Sequence, residues 1–232
     1  MSQNNLKQKA ILVALLLLLL GVIYIFQVLL DIAERKGREA AESNEITVTI
    51  PEGFNLRQIG ERLETLGFFS QSEFVAAAAK EEGYLFPDTY RFYKKSRPED
   101  IVAKMKENFS KKITPEILAE ILRQKKTLQD VIIMASLLEE EVKGTEDRKL
   151  VAGILWKRLK LGMGLQVDSA PGTYRYRGLP PDPISNPGLD AILAAVNPAP
   201  SPYLYYLSGR DGKTHYAETL EGHALNKFKY LK

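Results

Sequence analysis

Residues 10–30 form a predominantly apolar run, AILVALLLLLLGVIYIFQVLL, without a charged side chain. About 20 apolar residues allow a helix to cross the hydrocarbon core of a bilayer. A helix in a protein core usually has a polar face, and this one has none. No small-x-small cleavage site follows closely, which argues against the alternative of a removable signal peptide. We therefore predict a retained transmembrane helix at 10–30, between a tail at 1–9 and a polar spacer at 31–45.

The orientation of this predicted span does not follow from its flanking charges. Lys7 and Lys9 precede it, whereas Arg35, Lys36 and Arg38 follow it. Basic residues are enriched on the cytoplasmic side of membrane spans. The count of basic residues therefore does not favour a cytoplasmic N-terminus.

Composition excludes several classes of function. The 32 basic and 29 acidic residues give a net charge of +3 and are intermixed, so we predict no nucleic-acid partner. The chain has no cysteine, which excludes disulfides and thiolate chemistry. Two histidines, His215 and His223, are few for a zinc enzyme, although carboxylates could serve as ligands. We predict neither a metal nor a cofactor.

Short strand and helix patterns follow the spacer. The alternating segment ITVTI and two amphipathic helical patterns predict a small β-α-α unit at 46–82. The pattern of residues 83–232 predicts an α-rich domain. Within it, GLQVD is predicted to form a short strand, and Gly209–Gly212 to form the turn of a β-hairpin. The chain as a whole is predicted to have an α+β fold.

Three consecutive glutamates end the apolar helical pattern ASLLEEEV. At 100° per residue, Glu141 lies three and four residues beyond Leu138 and Leu137, so it continues their apolar stripe. The same spacing directs Glu139 and Glu140 to lateral or opposite faces. A desolvated carboxyl group is favoured in its protonated form, which is the form that a general acid needs. The alternative is a surface helix end with three solvated carboxylates.

Five segments, in this order, resemble the YceG-like family of membrane-anchored endolytic murein transglycosylases. They are GYLFPDTYRF (83–92), ASLLEEEV (135–142), VAGILWKRLKLGMGLQVD (151–168), GLPPDPISNPGLDAILAAVNPAPSPYLYYL (178–207) and GKTHYAETLEGH (212–223). The unit at 46–82 is similar to the LysM-like module of these proteins. The resemblance implies that 83–232 form a lytic transglycosylase domain.

The resemblance assigns the catalytic role to one glutamate. The family pattern resembles ASIVEKET, and its catalytic residue is the second glutamate, which matches Glu141. Glu140 stands where the family has lysine, and Glu139 and Glu140 are expected to tune the site or to be solvated. The implied reaction cleaves the β-1,4 bond between N-acetylmuramic acid and N-acetylglucosamine and leaves 1,6-anhydro ends. The alternatives are a catalytically weak glycan-binding protein and a glycoside hydrolase that uses Glu141 with Asp168.

The resemblance also implies substrate-binding residues. Gln166 and Asp168 match the family's LQxD, and alternation along the predicted strand would place both side chains on one face. Tyr174 matches the second tyrosine of YNTY, where Gly172 replaces the asparagine and a longer preceding insertion is missing. Asn197 is expected either to contact glycan or to cap a helix.

The resemblance implies a possible role for only one of the two histidines. His215, in THYA, is expected either to contact substrate or to be structural. His223 lies in a departure from the family's EHN, and no role is predicted for it.

The resemblance implies partners and a location. The substrate would be nascent peptidoglycan, and the protein would act beside peptidoglycan synthases. It would cross the cytoplasmic (inner) membrane once, with a cytoplasmic N-terminus and an extracytoplasmic catalytic domain.

Overall fold

The computed structural model describes residues 20–21, 23–32, 34 and 44–231. The chain divides into two units, residues 1–46 and 47–232. Residues 45–230 contain helices and short two-stranded sheets joined by irregular segments, so the predicted mixed α+β fold is confirmed. The elements in this range are β1 (Glu45–Thr49), α1 (Leu56–Thr65), α2 (Gln71–Ala77), β2 (Thr89–Tyr93), α3 (Pro98–Lys112), α4 (Pro115–Arg123), α5 (Leu128–Glu141), α6 (Thr145–Lys160), α7 (Leu189–Val196), β3 (Tyr205–Ser208), β4 (Thr214–Ala217) and α8 (Leu220–Tyr230).

The described residues of the first unit are helical at 20–21, 23–32 and 34. Large apolar side chains of this segment, such as Phe26 and Leu29, are exposed. No helix within the described ranges has both the length and the hydrophobicity needed to cross a bilayer. The tail at 1–9, part of the predicted span at 10–30 and most of the spacer at 31–45 lie outside the described residues.

The predicted β-α-α unit is present as β1, α1 and α2. Capping boxes at Asn55 and Ser70 begin the two helices, because each cap residue exchanges hydrogen bonds with the third helical residue. Strand β1 pairs with β2, which lies beyond residue 82. The boundary between 46–82 and 83–232 therefore stays a prediction, because residues 47–232 cluster as one unit.

Helix α5 is the centre of the hydrophobic core. Thr127 and Asp130 form its capping box, and all eight residues from Val131 to Leu138 are buried. The helix packs mainly on α7 and also on α6. Full burial of each large aliphatic side chain contributes roughly 1.5–3 kcal/mol. Because the residues before it are buried on every face, the polar end of α5, Glu139–Glu141, is held in a fixed position.

The segment after α6 is irregular, so the predicted strand GLQVD is wrong. Leu165 and Val167 are buried while Gln166 and Asp168 are exposed, which preserves the predicted alternation. Gln166 has a φ of +49°, a left-handed conformation that is incompatible with a regular strand. Buried Thr173 holds this turn, because its hydroxyl accepts from Val167 N–H at 3.0 Å and donates to the Ala170 carbonyl at 2.7 Å.

Asn186 joins the β1–α1 turn to the loop before α7. Its fully buried amide accepts from Leu85 N–H at 2.9 Å and donates to Phe54 O and Glu82 Oε1, each at 2.9 Å. Its backbone carbonyl also accepts from Gly53 N–H at 3.0 Å. One buried side chain thus connects three separate stretches of the chain.

The predicted hairpin is confirmed as β3 and β4. The strands are antiparallel, with Tyr206 opposite Tyr216 and Leu207 opposite His215. Helix α8 begins at its cap residue, Thr219, and packs on both strands without burying any residue completely.

Candidate active site

A cleft with a volume of about 550 Å³ opens at the C-terminal end of α5. The end of α5 and the turn at 166–174 form one part of its lining, and the hairpin strand β3 and helix α8 form another. Glu140, Glu141, Gln166, Asp168 and Tyr174 line the first part. The structure therefore brings Glu141 together with three of the five predicted substrate-binding residues.

Two hydrogen bonds hold the Glu141 carboxylate. The backbone N–H of Ser169 donates to Oε1 at 2.8 Å, and the Tyr206 hydroxyl donates to Oε2 at 3.3 Å. Burial, and then the charge of Glu141, raises the pKa of Tyr206 well above its ordinary value, so this hydroxyl stays protonated and can donate. Both oxygens of Glu141 are thereby oriented within the cleft.

The side chain of Glu139 is buried and paired rather than solvated. Its carboxylate forms a buried ion pair with Arg148 at 2.5 Å and accepts from Gly188 N–H at 2.9 Å. Arg148 also binds Asp190 at 2.8 Å and the Val142 carbonyl at 3.2 Å. Of the two roles expected for Glu139, solvation is therefore wrong, because its side chain is only 7% exposed. Tuning of the site stays a prediction.

Glu140 faces outward and is exposed. Its Oε1 lies close to Gly53, where an added Cβ would approach it to 2.7 Å. Of the three glutamates, Glu139 anchors the helix, Glu140 is exposed at the rim of the cleft, and Glu141 is held by two donors within it.

Asp168 and Tyr174 bind each other across the turn. The Tyr174 hydroxyl donates to Asp168 Oδ1 at 2.7 Å, and this bond, with burial as a smaller cause, raises the pKa of Tyr174 to about 12. The 3₁₀ turn Pro171–Tyr174 makes this contact possible. The short loop therefore still places an aromatic ring and a carboxylate in the cleft.

A model of the YceG-like family matches residues 26–171 and 172–229. This chain belongs to the YceG-like family. An endolytic murein transglycosylase of Streptococcus pneumoniae (strain D39) is 29% identical over 246 aligned residues, which cover 80% of this chain and 44% of that protein. One of Bacillus subtilis (strain 168) is 32% identical over 173 residues, covering 65% and 48%. This YceG-like chain thus spans about half the length of the curated relatives it matches.

A solved structure supports the YceG-like fold. The crystal structure of a yceG-like protein from Listeria monocytogenes superposes with a TM-score of 0.71 at 29% identity. The match covers 77% of this chain and 75% of that chain.

Asn197 and His215 do not line the cleft of this YceG-like chain. Asn197 ends α7, and its amide donates to the Leu193 carbonyl at 3.3 Å, which fits the capping alternative. His215 stacks on Tyr230, and its Nε2 lies 3.0 Å from Asp211 Oδ2. These contacts fit the structural alternative for His215, and a substrate contact for either residue stays a prediction.

Several cleft residues were missed by reasoning from the sequence. They are Ser169, Tyr206, Arg158, His223 and Lys227. The pairing of β3 with β4 and the packing of α8 on both bring most of them to Glu141, and neither is visible in local spacing. Within the described residues, no cluster of three or more His, Asp or Glu side chains could hold a metal ion.

Proposed function

We propose that this protein is an endolytic peptidoglycan lytic transglycosylase that uses Glu141 as its general acid and then its base. The observation that carries the proposal is the Glu141 carboxylate, held by two donors inside a cleft large enough for sugar rings. Membership of the YceG-like family and relatives named endolytic murein transglycosylase support it.

The two donors give different roles to the oxygens of Glu141. A backbone N–H can only donate, so Oε1 opposite Ser169 acts as an acceptor throughout. The acidic proton is therefore carried on Oε2, whose partner Tyr206 is a hydroxyl and can accept as well as donate. Tyr206 thus suits both protonation states of the acid.

The reaction needs only this one carboxyl group. Oε2 donates its proton to the glycosidic oxygen, and the bond between that oxygen and C1 of N-acetylmuramic acid breaks. The muramyl C6 hydroxyl attacks C1, forms the 1,6-anhydro ring and returns its proton to Oε2. Because the nucleophile belongs to the substrate, its proximity lowers the entropic part of the barrier. No water is consumed, in contrast to two-carboxylate hydrolysis.

The turn at 166–174 supplies the proposed glycan contacts. Gln166 and Asp168 are exposed in the cleft. Tyr174 is 54% exposed, and its ring can stack on a sugar face. The bond to Asp168 fixes the orientation of that ring.

The proposal is tested with the full chain in non-ionic detergent and uncrosslinked glycan strands. Mass spectrometry should detect 1,6-anhydromuramyl ends with the wild type and none with Glu141→Gln. The control, Glu146→Gln, changes a glutamate whose side chain is 81% exposed and should retain activity. Reducing ends would instead favour a hydrolase using Glu141 and Asp168. Binding without cleavage by the wild type would favour the glycan-binding alternative.

We also propose a location at the cytoplasmic membrane, with the N-terminus inside and residues 47–232 outside. The apolar run at 10–30 and the exposed apolar side chains at 23–32 support an anchor. An enzyme that cuts new strands must lie where they emerge, which supports work beside peptidoglycan synthases, with residues 46–82 as a LysM-like module.

The anchor is tested by deletion of residues 10–30. The truncated chain should move from the membrane fraction to the soluble fraction on cell fractionation. Its continued sedimentation with membranes after a high-salt wash would contradict the anchor.

A further inference from the structure

Arg158 is a buried cation beside the cleft without an acidic partner. Its side chain is among the buried polar groups, at 5% exposure. Its Nε and Nη1 donate to the carbonyls of Leu204 and Leu165 at 2.7 and 2.6 Å. Both acceptors are neutral, and no ion pair to Arg158 occurs in the described part of the chain. A buried charge without a counter-ion is unfavourable, so its site favours an anion.

Two further polar groups from α8 line the same cleft. His223 has a buried Nδ1 without a hydrogen-bond partner, and Lys227 is exposed one helical turn further along. A buried nitrogen without a hydrogen-bond partner costs free energy. Neither residue forms an ion pair with the carboxylates described in residues 44–231.

Arg158 and His223 contact the same aromatic ring, and Lys227 lies one helical turn beyond His223. The Tyr205 ring stacks on His223 with ring centres 5.3 Å apart, and Arg158 Cζ lies 5.2 Å from the same ring. Burial lowers the pKa of His223, and the charges of Lys227 and Arg158 lower it further. His223 is therefore neutral near pH 7 and offers a hydrogen bond, whereas the other two groups offer positive charge.

We propose that Arg158, His223 and Lys227 form an anion subsite of the cleft, which binds a carboxylate carried by the N-acetylmuramic acid residues of the substrate. The inference rests on the proposed function, because that function supplies the glycan. Such a carboxylate belongs either to the lactyl group of the sugar or to a stem peptide attached to it. Each source supplies a carboxylate, which two cations and an imidazole can bind.

The test compares protein variants on two forms of one substrate. Uncrosslinked strands are used as isolated and after their carboxylates have been converted to methylamides. Binding is measured with full-length Glu141→Gln protein in non-ionic detergent, which removes cleavage from the measurement. Lys227→Gln and His223→Phe should each weaken binding of native strands about tenfold, the loss expected for one hydrogen bond to a charged group. Methylamidated strands should bind weakly and equally to all these proteins.

Control variants distinguish residues that bind an anion from residues that only shape the cleft. Lys227→Arg keeps the charge and should restore binding, and Lys229→Gln, an exposed lysine of α8 outside the cleft lining, should leave binding unchanged. Equal weakening of native and methylamidated strands by Lys227→Gln and His223→Phe would overturn the proposal. So would equal binding of both strand forms by protein that retains Lys227 and His223.

Two comparisons complete the design. Strands freed of stem peptides by an amidase keep only lactyl carboxylates. Tight binding of these strands assigns the subsite to the lactyl group, and weak binding assigns it to the peptide. Failure of the proposed function gives a different result. Protein with an intact Glu141 would then produce no 1,6-anhydro ends, while native strands would still bind more tightly than methylamidated strands.

Discussion

Tyr206 is the side-chain donor to the proposed catalytic carboxylate. The other donor, Ser169, uses its backbone N–H, which no substitution except proline removes. Tyr206 is therefore the contact of Glu141 that can be tested by a conservative change. Its ring also packs against the hydrophobic core, so a phenylalanine would keep the packing and lose only the hydroxyl.

Tyr206→Phe is expected to lower kcat about tenfold with little change in KM, because one hydrogen bond that orients Oε2 is lost. Steady-state release of 1,6-anhydro products checks this. Tyr203→Phe is the matched control, since Tyr203 stacks on Tyr216 and does not line the cleft. An unchanged kcat in Tyr206→Phe would remove Tyr206 from the positioning of the acid.

The choice of Glu141 from helical spacing selected a residue that lines the cleft, but the reason given for it was incomplete. The spacing argument assumed one apolar stripe, but every residue from Val131 to Leu138 is buried. Buried faces all round leave no stripe for Glu141 to continue. Glu141 reaches the cleft because α5 ends there and the turn at Ser169 meets it. The structural role of Glu139 could not be predicted from local spacing, because its hydrogen-bond partner Gly188 lies 49 residues away.

At the scale of elements, one ion-pair network joins α5, α6 and α7. Glu139 on α5 and Asp190 on α7 both bind Arg148 on α6. Burial raises the pKa of Glu139, while Gly188 N–H and Arg148 oppose that rise. The network holds the end of α5, because Arg148 also binds the carbonyl of Val142.

Arg148→Met is expected to destabilise the protein more at pH 8 than at pH 5. The variant leaves Glu139 buried without its cation, which raises the folded-state pKa of Glu139 further above the ordinary 4.5. A group with a raised folded-state pKa contributes stability at low pH that is lost as the pH rises through that pKa. Breaking a buried pair costs about 3–5 kcal/mol, or on the order of 10 °C in Tm at pH 8.

Thermal unfolding of the detergent-solubilised chain at pH 5, 6.5 and 8 measures this effect. The double variant Glu139→Gln/Arg148→Met removes the titrating group and should have a flatter pH dependence. Equal destabilisation by Arg148→Met at all three pH values would show that Glu139 does not respond to its loss.

The predicted helices and the hairpin were recognisable because their signals are local. Capping boxes at Asn55, Ser70 and Thr127 lie within four residues of sequence. The GLQVD segment has the alternation of a strand but lacks a pairing strand, and Thr173 binds its backbone instead. Hydrogen bonds to a side chain six residues away determine the conformation of this segment. The alternation of apolar and polar residues does not reveal those bonds.

At the scale of the whole unit 47–232, Asn186 connects the N-terminal β-α-α elements to the loop before α7. Asn186→Ala is expected to lower the free energy of unfolding by roughly 2–4 kcal/mol, because Leu85 N–H and Glu82 lose buried partners. Thermal unfolding measures the loss. The control, Asn197→Ala, removes one exposed bond of 3.3 Å and should change stability by less than about 0.5 kcal/mol.

The same pair of variants also tests the two roles left open for Asn197. If Asn197 only ends α7, Asn197→Ala keeps both stability and glycan cleavage. A loss of cleavage without a loss of stability would restore a substrate contact. Equal stability of Asn186→Ala and the wild type would contradict the structural role of Asn186.

Helix α8 contributes His223 and Lys227 to the cleft without burying any residue completely, whereas α5 buries every residue from Val131 to Leu138. Local opening is easiest where few apolar contacts must break, so we expect backbone amide protons of α8 to exchange with solvent faster than those of α5. An enzyme that cuts within a polymer must admit a strand with no free end at the cut. We therefore expect the wall formed by α8 to open more readily than the end of α5 that carries Glu141.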